Sequence, residues 1–106
     1  MNQTYLNIYR YDPEPSVIFP QGTLVPSLPI SAFDLGLDRL QIADFAVLGN
    51  RIYLLDHTQG VYSFEYYGNK VQDLVSISLA DLNITEAWGI SANFDGGYIQ
   101  IVIATE

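Results

Sequence analysis

Residues 42–77 decide the fold of this chain, and they read IADFAVLGNRIYLLDHTQGVYSFEYYGNKVQDLVSI. Four strand-length runs stand out here, separated by Gly-Asn, by His-Thr-Gln-Gly and by a second Gly-Asn. Glycine and asparagine accept positive φ, so connectors of this kind join antiparallel neighbours through tight turns. The stretch therefore predicts a four-stranded antiparallel meander, with strands over Ile42–Leu48, Arg51–Asp56, Val61–Tyr67 and Lys70–Ile77.

A second hairpin is predicted nearer the C-terminal end of the sequence. The runs Ala87–Phe94 and Tyr98–Thr105 flank Asp95-Gly96-Gly97, and Asp-Gly is among the stronger short-range hairpin signals. The second run, YIQIVIAT, is nearly all apolar. A strand of that composition is typical of a position between two packed layers.

The first 41 residues are predicted to hold one strand and an ordered, apolar connection. Residues 3–11 alternate like a strand, and Asp12-Pro13-Glu14-Pro15 ends it because proline lacks a backbone N–H. The proline-rich stretch up to Ile30 predicts little regular structure, and residues 31–44 fit a short helical turn or an irregular lead-in equally well. The predicted organisation is a single domain with three parts, 1–41, 42–83 and 84–106.

The segment from Ile42 to Val71 resembles one blade of a β-propeller of the WD or NHL type. The shared features are an apolar strand closed by Gly-Asn, the run I-Y-L-L-D, a short turn ending in Gly-Val, and an aromatic strand. Residues 84–106 resemble the first half of a following blade at a spacing of 42 positions, within the about 40–45 residues of WD-type repeats. The resemblance, about one and a half blades, implies all-β, blade-like sheets and not any one family's function. A small closed β-sandwich or barrel, with residues 3–30 supplying the closing strands, is the alternative.

The last predicted strand raises the question of what covers it. Propellers close with about four to eight blades, more than this chain holds. Three arrangements could cover this strand. The chain could be part of a longer propeller, it could associate with itself or dock on another protein, or its N-terminal 41 residues could fold back over the strand.

The composition excludes several classes of function. The 106 residues carry 12 acids against four bases, a net charge of −8, which argues against nucleic acid and membrane partners. The absence of cysteine and the single histidine argue against zinc, and no phosphate-binding loop is present, so no cofactor is predicted. His57, without a nucleophile motif, is interpreted as a polar turn residue.

The predicted function is that of a non-enzymatic module for protein–protein interaction or assembly, with a protein partner or a second copy as its ligand. The alternative is a sandwich or barrel that binds an apolar or carbohydrate ligand. Tyrosine and tryptophan are enriched at interfaces, and exposed isoleucines require cover. The predicted interaction surface consists of Tyr62, Tyr66, Tyr67, Trp88, Ile99, Ile101 and Ile103.

Overall fold

The computed structural model describes residues 5–11, 24–26, 29–67 and 70–105. This part of the chain contains β-strands and two short 3-10 turns and no α-helix. The strands are β1 (Tyr9–Tyr11), β2 (Leu24–Pro26), β3 (Ile42–Leu48), β4 (Arg51–Asp56), β5 (Gly60–Tyr67), β6 (Lys70–Ser78), β7 (Ala87–Asp95) and β8 (Tyr98–Thr105). The 3-10 turns are η1 (Phe33–Leu35) and η2 (Ala80–Leu82).

The predicted all-β antiparallel meander is confirmed. Strands β3, β4, β5 and β6 form one sheet in chain order, and every neighbouring pair is antiparallel. Strands β7 and β8 form the predicted second hairpin, and β1 pairs with β2. None of these sheets closes on itself among the described residues, so the closed sandwich or barrel finds no support here.

The N-terminal part contains more regular pairing than the sequence predicts. The pairing of β1 with β2 continues at a bridge between Leu6 and Ile30. Pro26 lies at the end of β2, where a proline is tolerated because an edge strand need not donate on both sides. The predicted stop at residues 12–15, and most of the proline-rich connection after it, fall outside the described residues.

The ambiguous stretch 31–44 begins as the single 3-10 turn η1. The Asp34 carboxylate accepts hydrogen bonds from the Ser31 backbone N–H (2.8 Å) and hydroxyl (3.1 Å). Gly36 ends the turn in the left-handed conformation, at φ 72°, which glycine adopts without steric cost. The chain then runs as an irregular lead-in to β3, so both predicted alternatives hold in part.

The central β3–β6 sheet is covered on both faces by other parts of the same chain. The N-terminal segment covers one face through the first cluster, and the β7–β8 hairpin covers the other through the second cluster. The buried residues of the first cluster are Leu6, Ile30, Ala32, Leu35, Leu40, Leu54, Tyr62 and Phe64. Those of the second cluster are Tyr53, Leu55, Val61, Leu79, Ala87 and Ile90.

Several turns recur in the described chain at an offset of 47 positions. Gly49 and Gly96 turn the two hairpins β3–β4 and β7–β8, each at φ 61°. The turns η1 and η2 show the same offset, and their left-handed end residues are Gly36 and Asn83. The sequence-based spacing of 42 differs from this offset, because Ile84 follows a 3-10 turn as Leu37 does, whereas Ile42 lies in β3.

Candidate interaction surface

Strand β8 lies at an open edge of its sheet. Among the described strands it pairs only with β7, so the backbone N–H and C=O groups along its other side have no strand partner. None of its eight residues is charged. An uncharged edge strand can accept a further strand by main-chain hydrogen bonding.

The hairpin has an inner and an outer face. Ile101 and Ile103 are half-buried on the inner face, where they pack against the second cluster. Val102, on the outer face, is 51% exposed, and Tyr98 is more exposed still. Alternation along the strand therefore covers two of its three isoleucines and leaves the outer face in water.

Strand β1 is also an edge strand, at the other end of the described chain. It pairs only with β2 among the described strands. Leu6 and Ile8 pack on the first cluster, whereas Tyr5 and Tyr9 are more than half exposed. This aromatic side of the strand faces away from the core.

The structure divides the predicted interaction residues between two places. Tyr62 is buried in the first cluster, because the N-terminal segment covers that face of β5. Tyr66 packs against the same cluster and is half-buried. The side chain of Tyr67 lies outside the described residues. The remaining members belong to the hairpin, where Trp88 and Ile99 are about half exposed.

Sequence reasoning missed the outer face of β8. Val102 and Tyr98 are its exposed apolar residues, and Phe94 is exposed at the tip of the hairpin. The signal was available in the strict alternation of YIQIVIAT, in which isoleucines occupy one face and Tyr, Gln, Val and Ala the other.

The only histidine and the only tryptophan touch each other where β7 begins. The His57 and Trp88 ring centroids are 4.0 Å apart. His57 Nδ1 lies 3.1 Å from the Ala87 carbonyl oxygen, and the His57 carbonyl accepts from the Ala87 N–H at 2.9 Å. Nε2 lies 4.0 Å from a Glu86 carboxylate oxygen. These contacts tie the β4–β5 turn to the second hairpin.

The buried Asp56 organises the same turn. Its side chain is nearly inaccessible to solvent and accepts hydrogen bonds from the backbone N–H groups of Gln41, Thr58 and Gln59 at 2.8–3.0 Å. The Gln59 side-chain amide adds a fourth bond and also donates to the Arg39 carbonyl. Both carboxylate oxygens are thus engaged in holding the lead-in to β3 against the turn.

The Asp56 carboxylate affects the pKa of Tyr62. Burial raises the pKa of the Tyr62 hydroxyl above its ordinary value of 10.0, and the negative charge of Asp56 raises it further. Both effects disfavour the phenolate, since the anion loses hydration and meets a like charge.

We expect the free energy of unfolding to fall as the pH rises above about 10. The raised pKa means that the unfolded chain releases the Tyr62 proton first, so unfolding releases a proton in the interval between the unfolded and folded pKa values. Urea denaturation at several pH values measures the loss. Tyr62→Phe should flatten the curve, whereas the exposed-site control Tyr98→Phe should keep it; equal curves for both variants would contradict the assignment.

Two absences concern the described ranges, residues 5–11, 24–26, 29–67 and 70–105. No group of three or more histidine, cysteine, aspartate or glutamate side chains there is placed to hold a metal ion. No helix in the same ranges is long and apolar enough to cross a bilayer. A surface groove with a volume of about 570 Å³ opens beside Tyr5, Asp34, Tyr66 and Lys70.

Comparison with known proteins returns no relative. The sequence matches no protein-family model, and no curated protein or solved structure is significantly similar to it.

Proposed function

We propose that this chain is a non-enzymatic module of the β-propeller type that works through protein–protein interaction. The observation that carries the proposal is the repeat of 47 positions, in which a complete four-stranded sheet is followed by a hairpin corresponding to its first two strands. In a propeller each sheet packs face to face on the next, as the central sheet packs on the β7–β8 hairpin.

The burial of equivalent residues supports this interpretation. Leu55 in β4 is fully buried, because the hairpin covers its face of the central sheet. Val102 occupies the equivalent position in β8 and is 51% exposed. The same position is thus covered where a further layer exists and wet where it does not. A partner protein that supplies strands and a layer would remove this difference.

The chemistry of the polar groups supports a role in binding rather than catalysis. His57 contacts a carbonyl oxygen and an indole ring, and the oxygens of Asp56 are occupied by hydrogen bonds. A catalytic base needs a nucleophile or a substrate proton within hydrogen-bonding reach. These two side chains instead hold the sheet and the hairpin together.

A grafted chain tests whether the hairpin accepts further strands. In this variant residues 57–79, which contain β5 and β6, follow Ile103 in place of residues 104–106. In solution dilute enough for the parent chain to be monomeric by light scattering, we expect the graft to pair along β8 and to slow hydrogen exchange of the β8 amides about tenfold or more. The melting temperature should rise as well.

The matched control carries the same 23 added residues in scrambled order. A scrambled graft cannot alternate apolar and polar side chains in register with β8, so its β8 amides should exchange as in the parent chain. Equal exchange in the ordered and scrambled variants would overturn the proposed function.

A further inference from the structure

We propose that the partner is a second copy of this chain, bound head to tail, with β1 of the second copy paired along β8 of the first. This inference rests on the proposed function and names its partner. The new four-stranded sheet would have the order β7-β8-β1-β2, with its last two strands contributed by the second copy.

The strand pairs at the two ends of the described chain correspond to the two halves of the central sheet. The β7–β8 hairpin corresponds to β3–β4 through the offset of 47 positions. The β1–β2 pair corresponds to β5–β6, because near the end of each an isoleucine lies opposite an apolar residue, Ile30 opposite Leu6 and Ile77 opposite Val61. In both cases the isoleucine is followed by serine and a 3-10 turn. One copy therefore offers a strand pair that would extend the β7–β8 hairpin of another copy into a four-stranded sheet.

The central sheet also sets the expected register. In it Ile52 lies opposite Phe64, and Leu55 lies opposite Val61. Ile99 corresponds to Ile52, and Tyr9 corresponds to Phe64. Ile99 of one copy is therefore expected opposite Tyr9 of the second copy. The same correspondences place Val102 opposite Leu6 of the second copy.

Burial makes this register favourable on both faces of the new sheet. Phe64 is fully buried, whereas Tyr9 at the equivalent position of β1 is 55% exposed. In the assembly Tyr9 of the second copy extends the second cluster beside Ile101, so the new interface continues one that already exists within the chain. Val102, on the other face, comes to lie against the first cluster of the second copy. Each chain thereby buries an exposed aromatic and an exposed valine.

The edge strands β6 and β8 differ in how open they are to a further strand. The edge strand β6 carries Lys70 and Asp73, and Asp73 departs from strand geometry at φ 54°. Asp73 also binds Arg51, with 2.9 Å between Asp73 Oδ2 and Arg51 Nη1. Charge and irregularity of this kind protect an edge from further pairing, and β8 has neither.

The arrangement is heterologous, because β8 of one copy meets β1 of the next rather than another β8. Such contacts close into a ring when the rotation between copies allows it. Each copy contributes two four-stranded sheets to the ring, one complete and one shared. Propellers close with about four to eight sheets, so we expect two to four copies.

Paired cysteines test the register in the full chain, which has no native cysteine. Chains carrying Ile99→Cys and chains carrying Tyr9→Cys are mixed in equal amounts, oxidised mildly and analysed by non-reducing electrophoresis and mass spectrometry. We expect covalent dimers joining one chain of each kind. The mixture of Ile99→Cys with Asn7→Cys, which is out of register by two residues, should cross-link at least tenfold less. Light scattering of the parent chain should give two, three or four times its mass of 11.9 kDa.

Two results would overturn the inference. Disulfide dimers formed by Ile99→Cys alone would show that β8 pairs with β8, and a single-chain mass without mixed dimers would show that copies do not assemble. If the grafted chain nevertheless protects β8, the proposed function stands and the partner is a different protein. If the graft also fails, both proposals fall.

Discussion

Replacing Phe64 with alanine is expected to lower the free energy of unfolding by about 3–5 kcal/mol. The Phe64 ring is fully buried in the first cluster, between the N-terminal segment and the central sheet. Its removal leaves a cavity lined by rigid strands that cannot collapse into the space, so the lost contacts are not regained. Urea denaturation at one fixed protein concentration measures the change, since assembly would otherwise alter the apparent stability.

The matched control is Phe33→Ala. The side chain of Phe33 lies in η1 and is 88% exposed, so its loss should change the free energy of unfolding by no more than about 0.5 kcal/mol. Hydrogen exchange of Phe64→Ala adds a second readout, because the amide of Leu6, which bonds to Ile30, should lose protection first. Similar stabilities for the two variants would show that the N-terminal segment does not cover this face.

Replacing Asp56 with asparagine should cost about 2–4 kcal/mol, although the side chain barely changes in size. Each Asp56 carboxylate oxygen accepts two hydrogen bonds, from Gln41 and Gln59 on one side and from Thr58 and Gln59 on the other. The amide nitrogen of asparagine cannot accept, so one of these pairs of donors loses its partner in a buried site. Thermal and urea unfolding measure the loss.

Asp95→Asn is the control for the change in charge. Asp95 is exposed beside the β7–β8 turn, so the same substitution there should alter stability by less than about 0.5 kcal/mol. In Asp56→Asn the amides of Thr58 and Gln59 should also exchange faster, because they donate to this side chain. Unchanged exchange at these amides, together with wild-type stability, would contradict the role assigned to the carboxylate.

Local patterns in the sequence accounted for the strands and for their order. The Gly-Asn and Asp-Gly connectors and the alternation of Tyr62, Phe64 and Tyr66 predicted the meander and the hairpin, and the structure confirms both. The predicted binding surface differs from the surface that the structure leaves exposed. Tyr62 was expected at an interface with a partner, but the chain's own N-terminal segment occupies that face. Alternation shows that a face is apolar without showing which part of the molecule covers it.

The amino-acid sequence by itself determined the all-β class, the antiparallel neighbours and the turns, since each depends on residues that are close in the chain. Tertiary structure alone decided the offset of 47, the two covered faces of the central sheet and the open edge of β8. These features depend on contacts such as Leu6 with Ile30 and Asp44 with Ile90, whose partners lie far apart in the chain. Periodicity along the chain carries no information about which distant segment fills a given surface, because that choice follows from packing the whole domain.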